Sequence, residues 1–477
     1  MATITRPSDA TDPRTWDGAH ADLIEHLRTL IRIPSVNPPP AGGDGELLAA
    51  QAVAAMLADA GIPSEIVEPT PGRGSVAARV RGDGTGGGPL LLLSHLDVVP
   101  APPERWTHDP FGADVSDGYV WGRGAVDMKG MVAMEVGVLR RLAAEARAAG
   151  RDPADDPIPG LTRDILFACT ADEEAGGRAG AGWIVDHRPE LLQASGALNE
   201  CGGVSVDFAS HRFYPIGVAE KGYVAYRIVV HGTWGHGSMP RADNAAVRAA
   251  AIVTRLTEPG PTRLVPAMAR FFDAVADEIG GATGDLVRRI ASPDIDESEA
   301  AIAAACIDEM YGRAIRALLR DTASPNVIKA GVKYNVIPGV AEVEVDCRTL
   351  PGTDEAAMTA ELRRRIGEPL LVDCEIEPFL SAAAVETPQD TELYRILEGT
   401  LRDHDRTGIP VPMLAPFATD AKHLVRLGVP TYGFSPLQLE AGERFLERFH
   451  GVDERVGLDA LRFGLPVLYD VVRRYCD

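Results

Sequence analysis

Cysteine is scarce and scattered. Six residues, Cys169, Cys201, Cys306, Cys347, Cys374 and Cys476, stand among 477, and no two form a Cys-x-x-Cys pair. That spacing excludes a zinc knuckle and gives no disulfide framework. Long apolar runs are missing too: nothing reaches the roughly 18 consecutive apolar residues of a membrane span. Met1 to Trp16 is polar and contains proline, without the apolar stretch of a secretory signal. The expected location is therefore the cytoplasm. Positive charge is in deficit, since 47 Lys and Arg against 69 Asp and Glu leave a net charge of −22, and no local basic patch offsets it. Such a chain repels nucleic acid and anionic membrane surfaces, so neither is expected as a partner.

What is present is an ordinary globular composition, 45% hydrophobic and 24% charged, with 49 glycines and 36 prolines marking many tight connections. The length corresponds to two or three domains. Ala21–Arg32 and Gly45–Ala60 carry apolar residues at helical spacing. The uninterrupted apolar runs Pro89–Ser94, Arg163–Thr170 and Ala194–Asn199 read as buried strands, and Met128–Gly150 reads as a long helix. Buried strands alternating with helices predict an α/β sheet with both faces covered. Near residue 218 the pattern changes. Tyr223–His231 alternates like a half-exposed antiparallel strand, helical stretches follow at Asn244–Leu256, Pro266–Ile279 and Glu297–Leu319, and Val327–Ile337 and Ala341–Arg348 read as strands. After Pro351-Gly352 the α/β alternation resumes, ending in a helix from about Gly457 to Tyr475. The expected organisation is an α/β domain made of residues 1–217 and 350–477, interrupted by a smaller α+β domain at 218–349, which carries a helical insertion at about 261–323.

Five places concentrate metal-ligand side chains at strand ends or in glycine-bounded loops: Ser94-His95-Leu96-Asp97, Trp121-Gly122-Arg123-Gly124-Ala125-Val126-Asp127-Met128-Lys129-Gly130, Ala171-Asp172-Glu173-Glu174-Ala175-Gly176-Gly177, Asn199-Glu200-Cys201-Gly202-Gly203 and Phe449-His450-Gly451-Val452-Asp453-Glu454. Each has a plain structural reading, such as a helix-capping Asp or a solvated acidic turn. Together they supply two histidines and three or four carboxylates, a set suited to two divalent ions such as zinc. In extended backbone His95 and Asp97 point to one side, so the carboxylate can hold the imidazole tautomer. Adjacent acids in one loop can divide the roles of ligand and base. Hydrolysis by a metal-activated water is the natural chemistry.

With Gly235-His236-Gly237-Ser238-x-Pro240 added, the ordered motifs from about His95 to Glu454 resemble the M20 family of metallopeptidases, which includes aminoacylases, succinyl-diaminopimelate desuccinylase, glutamate carboxypeptidase and dipeptidases. The resemblance implies a zinc-peptidase-like catalytic domain, with a mixed sheet flanked by helices, and a lid or dimerisation domain. It implies that His95, Asp127 and Glu200 bind one zinc, that Asp127, Glu174 and His450 bind the other with Asp127 as the bridge, and that Asp97 supports His95. Glu173 becomes the general base, His236 a donor to the substrate carbonyl oxygen, and Asn335 and Arg348 binders of a substrate carboxylate. In relatives the histidine matching His236 often reaches the other subunit's active site, so a homodimer through the lid is expected. Asn199 departs from the pattern, because many relatives have an acid before the ligand Glu. Cys201 is a rival ligand that extended backbone would turn away from the metals. Thr419-Asp420 matches a motif assigned to support of the site. The 99-residue offset from His236 to Asn335 is long for the lid.

The expected function is a di-zinc hydrolase, with cobalt or manganese as alternative metals, that cleaves a peptide or amide bond next to a free carboxylate. The stretches Trp106…Asp109-Pro110-Phe111 and Trp121-Gly-Arg-Gly favour the carboxypeptidase and dipeptidase side. N-acyl-amino-acid deacylation is the alternative. A catalytically silent homologue would have lost the base or a ligand, and a structural zinc site would close four positions, often with Cys. Neither matches this carboxylate-rich set.

Overall fold

Four consecutive leucines, Leu90 to Leu93, are fully buried in the strand Leu90–His95. A strand buried on both faces belongs inside a sheet covered on each side. The computed structural model describes residues 12–38, 45–292, 294–296 and 315–477, and in it Leu90–His95 pairs in parallel with Ile165–Thr170 and with Gly196–Asn199. Gly196–Asn199 pairs in turn with Thr431–Gly433, also in parallel. On the other side the sheet becomes antiparallel, with Ser75–Val80 against Ile165–Thr170 and Ser64–Val67 against Ser75–Val80. The sheet is mixed and helix-flanked, in agreement with the expected fold class. On one face Leu91, Leu93, Leu166, Ala168 and Ala197 meet Ile184, Val185, Leu424 and Val429. The long helix Lys129–Ala148 packs on Leu90–His95, on helix Trp16–Ile31 and on helix Leu458–Cys476.

Local chemistry sets the helix ends. Thr15 caps Trp16–Ile31 by accepting from the Gly18 N–H at 3.1 Å. At the other end of that helix, the buried Lys129 ammonium donates to the Leu30 carbonyl in its last turn and to the Ile33 carbonyl just beyond it, at 3.0 and 2.8 Å, so the first residue of one helix caps the end of another. None of the described helices is long and apolar enough to cross a membrane.

The chain divides into two compact units. The first comprises residues up to Val218, Thr387–Val411 and Thr419–Asp477, and the second comprises Ala219–Glu386 and Pro412–Ala418. The second unit is built on an antiparallel sheet in the order Thr322–Ala330, Val340–Thr349, Gly222–His231, Cys374–Ala382. Gly222–His231 alternates buried and partly exposed residues along its length. Its inward side packs Ile228 and Val230 against Val343, against Ala249 and Ile252 of helix Ala245–Leu256, and against Met358 and Leu362 of helix Glu355–Ile366. Asn244 and Asp354 cap these two helices through the N–H groups of Ala246 and Ala357.

Two differences from the sequence expectation have physical causes. Residues 350–386 fall in the second unit, because Cys374–Ala382 hydrogen-bonds along Gly222–His231 and helix Glu355–Ile366 fills the core beneath that sheet. The single strand expected over 327–337 is two strands, Thr322–Ala330 and Val336–Ile337, separated by a turn at Gly331 with φ +72°. The helical insertion contains Pro266–Ile279 and Gly281–Ile290. Residues 297–314 of the helix expected at Glu297–Leu319, and Cys306 with them, lie outside the described residues.

Ile228 sits at the centre of the second unit's core with no exposed surface. Ile228→Ala is expected to destabilise that unit by about 2–5 kcal/mol, through lost burial and the cavity left behind. Denaturant melting checks this, and an unmoved midpoint would place Ile228 outside the core.

Candidate metal centre and active site

Parallel neighbouring strands end side by side, and three of them end here on residues able to bind a cation. His95 is the last residue of Leu90–His95, Asp172–Glu174 follows Ile165–Thr170, and Glu200 follows Gly196–Asn199. This is the carboxyl edge of the parallel part of the sheet, where open α/β sheets place their ligands. Asp127 stands just before helix Lys129–Ala148 and is joined to Met128 by a cis peptide bond. His450 comes from a loop in which it adopts φ +56°.

The donor atoms form two groups that share one residue. Those of His95, Asp127 and Glu200 lie within 4.8 Å of one another, as do those of Asp127, Glu174 and His450. His95 Nε2 is 3.1 Å from Asp127 Oδ1 and 3.8 Å from Glu200 Oε2. His450 Nε2 is 3.2 Å from Asp127 Oδ2 and 3.1 Å from Glu174 Oε2. Asp127 thus turns one oxygen to each group. Asp97 is fully buried and does two jobs. Its carbonyl and its Oδ1 lie 3.1 and 3.3 Å from His95 Nδ1, while its carboxylate accepts the N–H groups of Glu173 and Glu174 at 3.1 and 2.9 Å.

The electrostatics follow from crowding acids into a dry place. Burial alone would raise Asp127, but hydrogen bonds with His450 and His95 outweigh it and hold its carboxyl below the usual range. Bonds to Asp127 and Glu174 raise His450 to about 10. Burial pushes Glu173 well above the ordinary carboxylate range, against the opposing pull of Lys422. Glu174 is raised for the same first reason.

Divalent cations fit this donor set. Each imidazole nitrogen faces carboxylate oxygens, and Glu174 Oε1 is buried without a hydrogen-bond partner among the described residues. Three protein ligands per group, mixing nitrogen and carboxylate oxygen, suit borderline-hard ions and leave a coordination position open. His450 is 55% exposed, so the second group is the one that solvent reaches.

Behind the ligands stands a set of residues to which sequence reasoning gave no role. Glu454 is fully buried. Its Oε2 accepts from Arg123 Nη1 at 2.6 Å, and its Oε1 accepts the N–H groups of Val126 and Asp127 at 2.8 and 3.1 Å. Arg123 Nη2 also donates to the Gly451 carbonyl, which links the Asp127 loop to the His450 loop. Asn37 donates to Asp97 Oδ2 at 2.8 Å, and Arg73 donates to Asn37, Glu46 and Asp172. Lys422 donates to Glu173 Oε1 at 3.1 Å. The available signal was a lone charge inside an otherwise apolar or glycine-rich motif, as with Arg123 and Arg73. Cys201 corrects another expectation. Its φ is +71°, so extended alternation does not hold there, and its thiol donates to Glu200 Oε2 at 3.3 Å instead of pointing away.

The remaining predicted residues belong to the second unit. Gly235–His236 pairs with Val336–Ile337, and the Gly237 N–H donates to the Asn335 carbonyl, which brings His236 and Asn335 onto adjoining backbone. His236 is exposed, with Nδ1 2.7 Å from Ser238 Oγ, and Asn335 Oδ1 is buried without a hydrogen-bond partner among the described residues. Arg348 lies on Val340–Thr349. There its Nε and Nη2 pair with Asp346 and its guanidinium sits 5.6 Å over the Tyr223 ring.

Glu454→Gln is expected to weaken divalent-cation affinity by about 10–100-fold, because it disturbs the backbone that aims Asp127. Competition between the metal-free protein and a chelator of known affinity measures this, and unchanged affinity would detach Glu454 from the metal centre.

The chain matches the model of Peptidase family M20/M25/M40 over residues 91–474. It is similar to a probable carboxypeptidase S-like 2 of Dictyostelium discoideum, 27% identical over 397 residues that cover 81% of this chain and 71% of that protein. It is also similar to an N-fatty-acyl-amino acid synthase/hydrolase of Xenopus tropicalis, 29% identical over 392 residues, covering 78% and 70%. In fold it is similar to the M20 family metallo-carboxypeptidase Sso-CP2 of Sulfolobus solfataricus, with a TM-score of 0.70, 17% identity and coverage of 95% and 99%. A family match over most of the length, together with a matching fold, leads to one conclusion: the chain belongs to peptidase family M20/M25/M40 and is a metallohydrolase of that family.

Proposed function

We propose that this metallohydrolase is a di-zinc enzyme cleaving a peptide or amide bond beside a free carboxylate, with carboxypeptidase or dipeptidase-like substrates. The observation that carries the reading is the Asp127 carboxylate, which turns one oxygen to each of two histidine–carboxylate groups, with Glu173 beside the ligand Glu174. His95, Asp127 and Glu200 would hold one cation and Asp127, Glu174 and His450 the other. Zinc suits these donors best, ahead of cobalt and manganese. When bound, the cations supply Lewis acidity toward a carbonyl oxygen and make water nucleophilic at neutral pH.

The chain's own residues do the rest. Glu173 takes a proton from the attacking water as its oxygen bonds to the carbonyl carbon. It returns that proton to the departing nitrogen as the carbon–nitrogen bond breaks, leaving a carboxylic acid and an amine that settle in neutral water as carboxylate and ammonium. Asp97 fixes the N–H groups of Glu173 and Glu174 and so sets the direction of both side chains. His236 donates to the carbonyl oxygen as negative charge builds on it. Asn335 and Arg348 bind the substrate carboxylate. The pairing of Arg348 with Asp346 uses Nε and Nη2, which leaves Nη1 to donate. Exposed Trp234 and Tyr334, next in sequence to the His236 and Asn335 segments, fit a surface that a second copy of the chain covers, in line with a homodimer through this unit.

A second reading, hydrolysis of N-acyl amino acids, is favoured by the 29% identity to a relative named for N-fatty-acyl amino acids. Both reactions leave an α-carboxylate. A turnover screen of dipeptides against N-acyl amino acids, with added zinc, cobalt or manganese, separates them: faster cleavage of dipeptides supports the first reading, and faster deacylation replaces it with the second. Glu173→Ala is expected to keep its metal and lose turnover by about 10²–10⁴-fold. Activity within about tenfold of wild type would remove Glu173 as the base.

A further inference from the structure

The proposed general base has a cationic partner of its own. Glu173 Oε1 accepts from Lys422 Nζ at 3.1 Å, and both side chains are buried, with 4% of Lys422 and 10% of Glu173 exposed. Lys422 lies in the short helix Ala421–Leu424, and that helix with the two residues leading into it is fastened to the site at three points. Thr170 Oγ1 donates to Asp420 Oδ2 at 2.6 Å, Asn199 Nδ2 donates to Thr419 Oγ1 at 2.8 Å, and His423 Nε2 lies 3.0 Å from the Gly176 carbonyl. Thr170 leads into the loop that carries Glu173, Gly176 closes that loop, and Asn199 precedes Glu200. The close approach depends on Gly177, at φ +72°, where an added Cβ would lie 2.4 Å from Asp420 Oδ1. Asp420 Oδ1 is also 3.8 Å from the Lys422 ammonium, which is thus held between two carboxylates. The segment 419–423 therefore registers the whole acid loop, and Lys422 is the member of it that reaches the base.

A glutamate side chain has three rotatable bonds, so a base that must meet a water proton and later a departing nitrogen gains from being fixed in place. We propose that Lys422 is a positioning residue for this reaction: by engaging Oε1 it orients the Glu173 carboxylate so that Oε2 is the oxygen that exchanges the proton. This rests on the reading of Glu173 as the general base. Lys422 acts through Glu173 and not on the substrate.

The test uses the full-length zinc-loaded protein, with kcat, KM and zinc content measured for Lys422→Met, Lys422→Arg, Glu173→Gln and the Glu173→Gln/Lys422→Met double variant. The expected outcome is a fall in kcat of about 10–100-fold for Lys422→Met, with KM and zinc content unchanged and kcat largely restored in Lys422→Arg. In the Glu173→Gln background the same change should cost nothing further, because a residue acting only through another has no effect once that partner is altered. The proposal is overturned if Lys422→Met keeps its kcat, if it raises KM instead, or if its effect persists in the Glu173→Gln background. If Glu173→Gln itself turns over normally, the base assignment fails, a result distinct from failure of the Lys422 role. Should Lys422→Met fold poorly, Lys422→Leu, which also removes the donor, carries the same paired comparison.

Discussion

Carboxylates buried together repel one another, and the arrangement of the first unit is governed by that repulsion. Asp97, Asp127, Glu173, Glu174 and Glu200 converge on one sheet edge, and each has a counterpart, with the two imidazoles shared. Asp127 lies between two imidazoles, Asp97 accepts the N–H groups of the acid loop, Glu173 meets Lys422, Glu174 meets His450, and Glu200 meets His95 and the Cys201 thiol. The balance is nonetheless incomplete, because Glu174 keeps a buried oxygen with no partner among the described residues. A site so short of positive charge is completed by cations, which explains why a chain with no zinc knuckle can still be a metal enzyme.

The support behind the ligands obeys the same rule at lower cost in specificity. Arg123 with Glu454, and Arg73 with Glu46 and Asp172, are ion pairs with little or no exposure. Removing one partner of such a pair strands a charge in a dry interior, at a cost of about 3–5 kcal/mol. They hold loops in place through backbone groups: Glu454 accepts two N–H groups at Asp127, and Arg123 reaches the carbonyl of Gly451. Geometry at the donor atoms is therefore set by residues that never touch a metal or substrate.

Much of this was legible because it is local. A buried apolar strand followed at once by His95, by Asp172-Glu173-Glu174 or by Glu200 declares both the strand and the direction of its end, and His95, Glu174 and Glu200 lie in the two donor groups. What stayed hidden depends on partners far along the chain. Nothing near Lys422 announces Glu173, and nothing near Asn37 announces Asp97. The strand His211–Glu220 was missed because its buried run from Phe213 contains Pro215 and Gly217, which erase the apolar signature. Residues 350–386 read as strand and helix without revealing which sheet they would join, since edge pairing is a tertiary choice. At Cys201 a single left-handed residue was enough to reverse the direction inferred from extended backbone.

Metal ligands drawn from such distant segments also constrain how the molecule comes into being. His95 and His450 stand 355 residues apart, and the whole second unit is encoded between them. Closing so long a loop has a large entropic penalty unless the intervening chain has already collapsed into a body that brings its ends together. During synthesis, His95, Asp127, Glu174 and Glu200 emerge long before the histidine that completes their second group. Until His450 is added, Asp127 and Glu174 lack the imidazole of their group. The second unit is encoded within that interval, so the second donor group is completed only after the chain of the second unit has been made.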